Sequence, residues 1–138
     1  MVNNSDLSMR DRTRPLAVIV SLYVAIVLGT IAALAVLSVT APHQVSSDAW
    51  GHAVIVAVFA VVLPLRLRAA RSGSLGALRA VGIIAAVLLL VNVIEASIPR
   101  LFPPWMRVEM IGIAVIMAAA IALVVRDWQG GGQRRSAN

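Results

Sequence analysis

The sequence predicts an all-α integral membrane protein, with four transmembrane helices in an antiparallel bundle and both termini cytoplasmic. Three observations carry this expectation. The 138 residues are 60% hydrophobic, with a mean hydropathy of +0.92, against roughly 45–50% apolar content in soluble domains. The apolar residues gather into four blocks, and the segments between them are too short for a separate soluble domain. The basic residues are twelve arginines with no lysine, and they stand at the ends of the blocks.

Residues 1–15 read as a flexible cytoplasmic tail. Asn3, Asn4, Ser5, Asp6 and Asp11 leave too little apolar surface to fold alone. Residues 16–39 form the first span, 24 residues without a charge. As a helix it measures about 36 Å, enough to cross with some tilt. The run exceeds the roughly 7–15 apolar residues of a signal peptide. Pro42 also follows Val39-Thr40-Ala41 directly, so the span is expected to be retained. Ser21, Ala25, Gly29 and Ala33 recur every fourth residue and predict close approach of another helix.

Pro42 stops the first helix, and Ser46, Ser47 and Asp48 are competent N-caps for the second. Residues 49–65 form the second span, about 26 Å long as a helix. Trp50 stands at its entrance and Pro64 marks its exit. The loop 66–79 carries Arg66, Arg68, Arg71 and Arg79, a Ser-Gly-Ser turn at 72–74, and no acid. It is expected to lie in the cytoplasm against anionic lipid head groups. Ser74 is placed to cap the third span, 80–98, which Pro99 ends. A tight outer turn leads to the fourth span, 105–125, opened by Trp105. Residues 126–138 read as a second flexible cytoplasmic tail, rich in glycine. The four spans, within 16–125, make one membrane domain.

Orientation follows from counting. In this scheme ten arginines lie inside, and only Arg100 and Arg107 lie outside. Cytoplasmic loops retain arginine because its translocation is costly, so both termini are expected inside. The net charge of +6 is thereby topological and lipid-directed. No nucleic-acid partner is expected, because the arginines flank apolar blocks and do not line one soluble surface.

The polar residues inside the spans are the candidate site. With a rise of about 1.5 Å per residue, His52, Glu95 and Glu109 fall at one height, roughly 7–10 Å outward from the bilayer centre. Asn92 lies one turn deeper than Glu95, and Asp48 one turn before His52. Two readings compete. In the first these groups only specify packing: Glu95 pairs with Arg107 or Arg100, His52 with Asp48, and Asn92 bonds a neighbouring helix. In the second, His52, Asn92, Glu95 and Glu109 form a proton or ligand site opening outward. A histidine with two glutamates also suits Zn or Fe, but no HExxH or Glu-x-x-His pattern occurs, so no metal is assigned. His43 reads as a solvated loop residue, and Met106, Met110, Ile113 and Met117 read as core filling.

The absence of cysteine excludes disulfides, thiolate metal sites and c-type haem attachment. No nucleophile elbow, Walker or dinucleotide glycine pattern is present, so neither catalysis nor a cofactor is expected. Arginine without lysine, beside much Ala and Val, is associated with GC-rich bacterial genomes. The expected function is a non-enzymatic accessory or assembly component, or a homo-oligomer, in a bacterial plasma membrane. The alternative is a small transporter or ligand-binding bundle built on His52, Glu95 and Glu109.

Overall fold

A computed structural model describes residues 4–136, with side chains described over 11–130. It is all-helical. The elements are α1 (Asn4–Thr40), a 3₁₀ turn (Pro42–Gln44), α2 (Ser47–Arg71), α3 (Leu75–Ser97) and α4 (Pro104–Ser136). Each α-helix contains a stretch long and apolar enough to cross a membrane: Asp11–Thr40, Ser47–Arg71, Leu75–Ser97 and Pro104–Gly130.

The helices outrun the spans read from the sequence. The segments expected as flexible tails are helical from Asn4 and as far as Ser136. Pro64 does not end the second span: α2 continues through it to Arg71. A proline removes a single helical hydrogen bond, and Arg68 and Arg71 in the last turn complement the negative end of the helix dipole. The arginine loop thereby shrinks to Ser72, Gly73 and Ser74. Gly73 takes φ +105° there, which L side chains rarely adopt. Ser46 and Ser74 cap α2 and α3, each accepting the N–H three residues on.

Each helix packs on two neighbours: α1 on α2 and α4, and α3 on α2 and α4. The buried residues repeat at alternating spacings of four and three. On α1 the row is Leu16, Val20, Tyr23, Val27, Thr30 and Leu34; on α4 it is Met106, Met110, Ile113, Met117, Ala120 and Val124. This near-heptad repeat keeps one seam of each helix on the common axis. Tyr23 is the one tyrosine, and its hydroxyl, deep in the core, donates to the Val56 carbonyl at 2.7 Å.

The small-residue stripe faces elsewhere. Ser21, Ala25 and Gly29 are exposed, and a Cβ at Gly29 would meet nothing within 4 Å. The close approach expected there occurs at Gly82 instead, where a Cβ would stand 3.0 Å from Val124 Cγ1.

The core is divided. The larger apolar cluster runs from Leu16, Ala70 and Ala77 to Val27, Val56, Leu88 and Ile113. A smaller one, of Leu34, Ala49, Ala53, Ala96, Phe102, Met106 and Met110, closes the end that bears the 3₁₀ turn and the α3–α4 turn. That end is called distal below. Polar side chains lie between the two clusters.

Candidate functional site

The site is assembled from the distal turns of all four helices. On α2 the buried row Ala49, Ala53 and Val56 carries His52 inward with it, and the His52 side chain is fully enclosed. Its Nδ1 is hydrogen-bonded to Oε2 of Glu95, near the end of α3. Its Nε2 faces Oε2 of Glu109, on the second turn of α4, at 3.8 Å. That separation is too long for a hydrogen bond, and among the described residues both atoms are buried without a partner. On the far side of Glu109, Oε1 lies 2.8 Å from the hydroxyl of Thr30 on α1. The ring of Phe102, from the α3–α4 turn, meets the imidazole edge-on, with centroids 5.9 Å apart at 62°.

The three ionisable residues placed at one height by helical rise thus meet around His52. Asn92 is buried too, but its Nδ2 donates to Leu88 O of its own helix at 2.7 Å, not to a neighbouring helix. Its Oδ1 has no partner. Asp48 is exposed, so the pairing expected for His52 goes to Glu95 in its place. Among the described residues no arginine pairs with Glu95, and Arg107 Nε donates to the Ala96 carbonyl at 3.1 Å. His43 is exposed on the 3₁₀ turn, while Met106, Met110, Ile113 and Met117 are all fully buried. Trp105 leans into the distal apolar cluster, with its indole N–H buried and unpartnered.

Thr30 was not among the residues singled out by sequence. Its signal lay in the spacing: it occupies the α1 row between Val27 and Leu34, where a hydroxyl must enter the core. Its single hydrogen has two acceptors within reach, Glu109 Oε1 at 2.8 Å and Ile26 O at 3.0 Å. If Glu109 is ionised, Thr30 donates to it. If Glu109 holds a proton on Oε1, Thr30 accepts that proton's hydrogen bond and donates to Ile26.

The arrangement suits proton transfer. An ionised Glu95 fixes the Nδ1–H tautomer of His52, so Nε2 accepts when the ring is neutral and donates when it is charged. Glu95 keeps 19% of its side chain exposed, against 10% for Glu109 and none for His52. The chain of groups therefore runs from a partly open carboxylate, through the imidazole, to a more enclosed carboxylate. Among the described residues, no group of three or more His, Asp or Glu side chains is arranged to hold a metal ion.

Comparison with protein-family models, curated proteins and solved structures gives no match for this chain.

Proposed function

We propose that the chain is a multi-pass protein of the bacterial plasma membrane, an antiparallel four-helix bundle with both termini cytoplasmic. We read it as a non-enzymatic ligand-binding protein whose ligand is a proton taken up at His52, Glu95 and Glu109. The observation that carries this reading is the facing pair of buried, unpartnered atoms, His52 Nε2 and Glu109 Oε2, 3.8 Å apart. A charge-assisted N–H···O bond is about 2.8 Å long, so a movement of about 1 Å closes the gap. One imidazole and two carboxylates are electroneutral when they share two protons, and an apolar interior penalises any other count.

In this mechanism Glu95, at the partly exposed edge, exchanges a proton with the distal side. A neutral His52 that carries its proton on Nε2 accepts at Nδ1 from a protonated Glu95. The resulting imidazolium gives its Nε2 proton to an ionised Glu109 as that carboxylate swings in, which leaves the Nδ1–H ring against an ionised Glu95. The proton arrives on Glu109 Oε2, and Thr30 goes on donating to Oε1, which holds the carboxyl group in place. The large apolar cluster from Val27, Val56 and Leu88 onward seals the opposite side, so the site binds from one face.

The chain has only two histidines, which makes ring ¹⁵N NMR of histidine-labelled protein in detergent a direct test. The His52 signals should move in both Glu95→Gln and Glu109→Gln, with those of His43 unchanged. A companion dye titration should show fewer protons taken up by either variant than by wild type. Indifference of the His52 ring to Glu109→Gln would end the proton-site reading.

A second reading, as an accessory component or homo-oligomer, is favoured by one observation: the outward-facing Ser21, Ala25 and Gly29 leave a helix surface on which another helix can approach closely. A stoichiometric membrane-protein partner in affinity purification from native membrane would support it.

A further inference from the structure

The surface between α1 and α2 holds a groove of about 460 Å³, within the range of roughly 300–1,000 Å³ usual for ligand clefts. Ala17, Ser21 and Ala25 of α1 line one side, Pro64 lines the other, and Arg68 and Arg71 stand at the end near the α2–α3 turn. The Ser21 hydroxyl is turned back onto Ala17 O at 2.8 Å, so away from the arginines the trough presents mainly hydrocarbon. No acid lines the groove, and among the described residues neither Arg68 nor Arg71 has a recorded acidic partner.

The dimensions match one lipid leaflet. On α1 the lining extends from Ala17 to Leu28, a helical rise of about 16 Å. Half of a hydrocarbon core of about 30 Å is nearly the same length. An acyl chain laid along the trough from mid-membrane therefore brings its head group to the level of the two arginines. They lie three residues apart on α2, close enough to share one phosphate.

We infer that this groove is a binding site for a single anionic phospholipid: an acyl chain lies on Ala17, Ser21 and Ala25, and the phosphate is held by Arg68 and Arg71. The small side chains spaced by four then have a function other than helix contact, because they hollow the surface for a chain. The site is distinct from the general attraction of the basic turn to acidic membranes. Arg66 and Arg79 share that membrane surface and do not line the groove.

The test is lipid retention by native mass spectrometry. Full-length protein would be extracted in mild detergent from vesicles of phosphatidylcholine containing phosphatidylglycerol. Wild type should keep one phosphatidylglycerol per chain in preference to phosphatidylcholine. Arg68→Gln with Arg71→Gln should weaken retention by about thirtyfold, roughly fivefold per arginine. Ala25→Phe, at an exposed position in the groove lining, should displace the acyl chain and lose the lipid with both arginines intact and the melting temperature unchanged. Arg66→Gln with Arg79→Gln should retain it. Equal losses in the two arginine pairs would show diffuse surface charge, and full retention in Ala25→Phe would show annular lipid only; either result overturns the site.

Discussion

The Thr30 hydroxyl lies 2.8 Å from Glu109 Oε1, joining α1 to α4 across 79 positions of sequence. This side-chain hydrogen bond between the two helices anchors the end of the His52 chain, on the side of Glu109 away from the imidazole. Thr30→Val keeps the shape and removes the bond. It should lower thermal stability by about 0.6–1.7 kcal/mol, the range for interhelical bonds in membranes. Thr30→Ser should restore most of that loss. Infrared absorption of protonated carboxyl groups should also change in Thr30→Val and recover in Thr30→Ser, which a packing defect alone would not produce.

Glu95 tests the pairing itself. Glu95→Gln keeps an oxygen to accept from His52 Nδ1 and removes the charge, so it should cost on the order of 1 kcal/mol. Glu95→Leu strands the buried imidazole and should cost about 3–5 kcal/mol, the penalty for removing one partner of a buried pair. Melting curves in detergent compare the two. Equal stabilities would show that His52 does not depend on Glu95.

Topology can be read with single cysteines. Ser46 accepts the Ala49 N–H as the α2 cap, so Ser47, exposed and free of that duty, is the better probe. A cysteine at Ser47 should label with an impermeant reagent in intact cells. One at exposed Ser72, whose hydroxyl caps no helix N-terminus, should label only after lysis. The reverse pattern would invert the orientation proposed here.

The two glycines separate packing from surface. A Cβ at Gly82 meets Val124 at 3.0 Å, so Gly82→Leu should force α3 and α4 apart and cost about 1–3 kcal/mol. Gly29→Leu meets nothing and should leave the melting temperature of the monomer nearly unchanged, with an effect within about 0.5 kcal/mol. A change of oligomeric state in Gly29→Leu on size-exclusion chromatography would instead mark that face as an interface between copies.

Four apolar helices were legible in the sequence because each block is long and nearly free of charge. The shared height of His52, Glu95 and Glu109 was legible because helical rise is fixed, so counting from the block midpoints placed each one. Pairing was not legible, since height leaves rotation about each axis undetermined. Asp48 and His52 are one turn apart, yet Asp48 is exposed while His52 points inward. Rotation was nonetheless encoded on α1. The alternating row from Leu16 to Leu34 marks the buried face and includes Thr30, while the more conspicuous row of Ser21, Ala25 and Gly29 marks the opposite one. Composition drew the eye to small residues, where spacing identified the core. Pro64 misled because a proline inside a helix removes one backbone bond and can bend the helix without ending it, and α2 continues to Arg71.

The division of the core also sets how the molecule opens. Seven residues, three of them alanine and two methionine, hold the distal cluster together, and a cluster so small buries far less surface than the one beneath it. Local opening follows the least-stable cooperative unit. Here that unit is the cover over His52 itself, made of adaptable methionines and a Phe102 carried on a turn. Amide hydrogens at the distal ends of α2 and α3 should therefore exchange through a separate, cheaper fluctuation than those around Val56 and Leu88. Solvent would reach the imidazole while the remainder of the helices stayed folded.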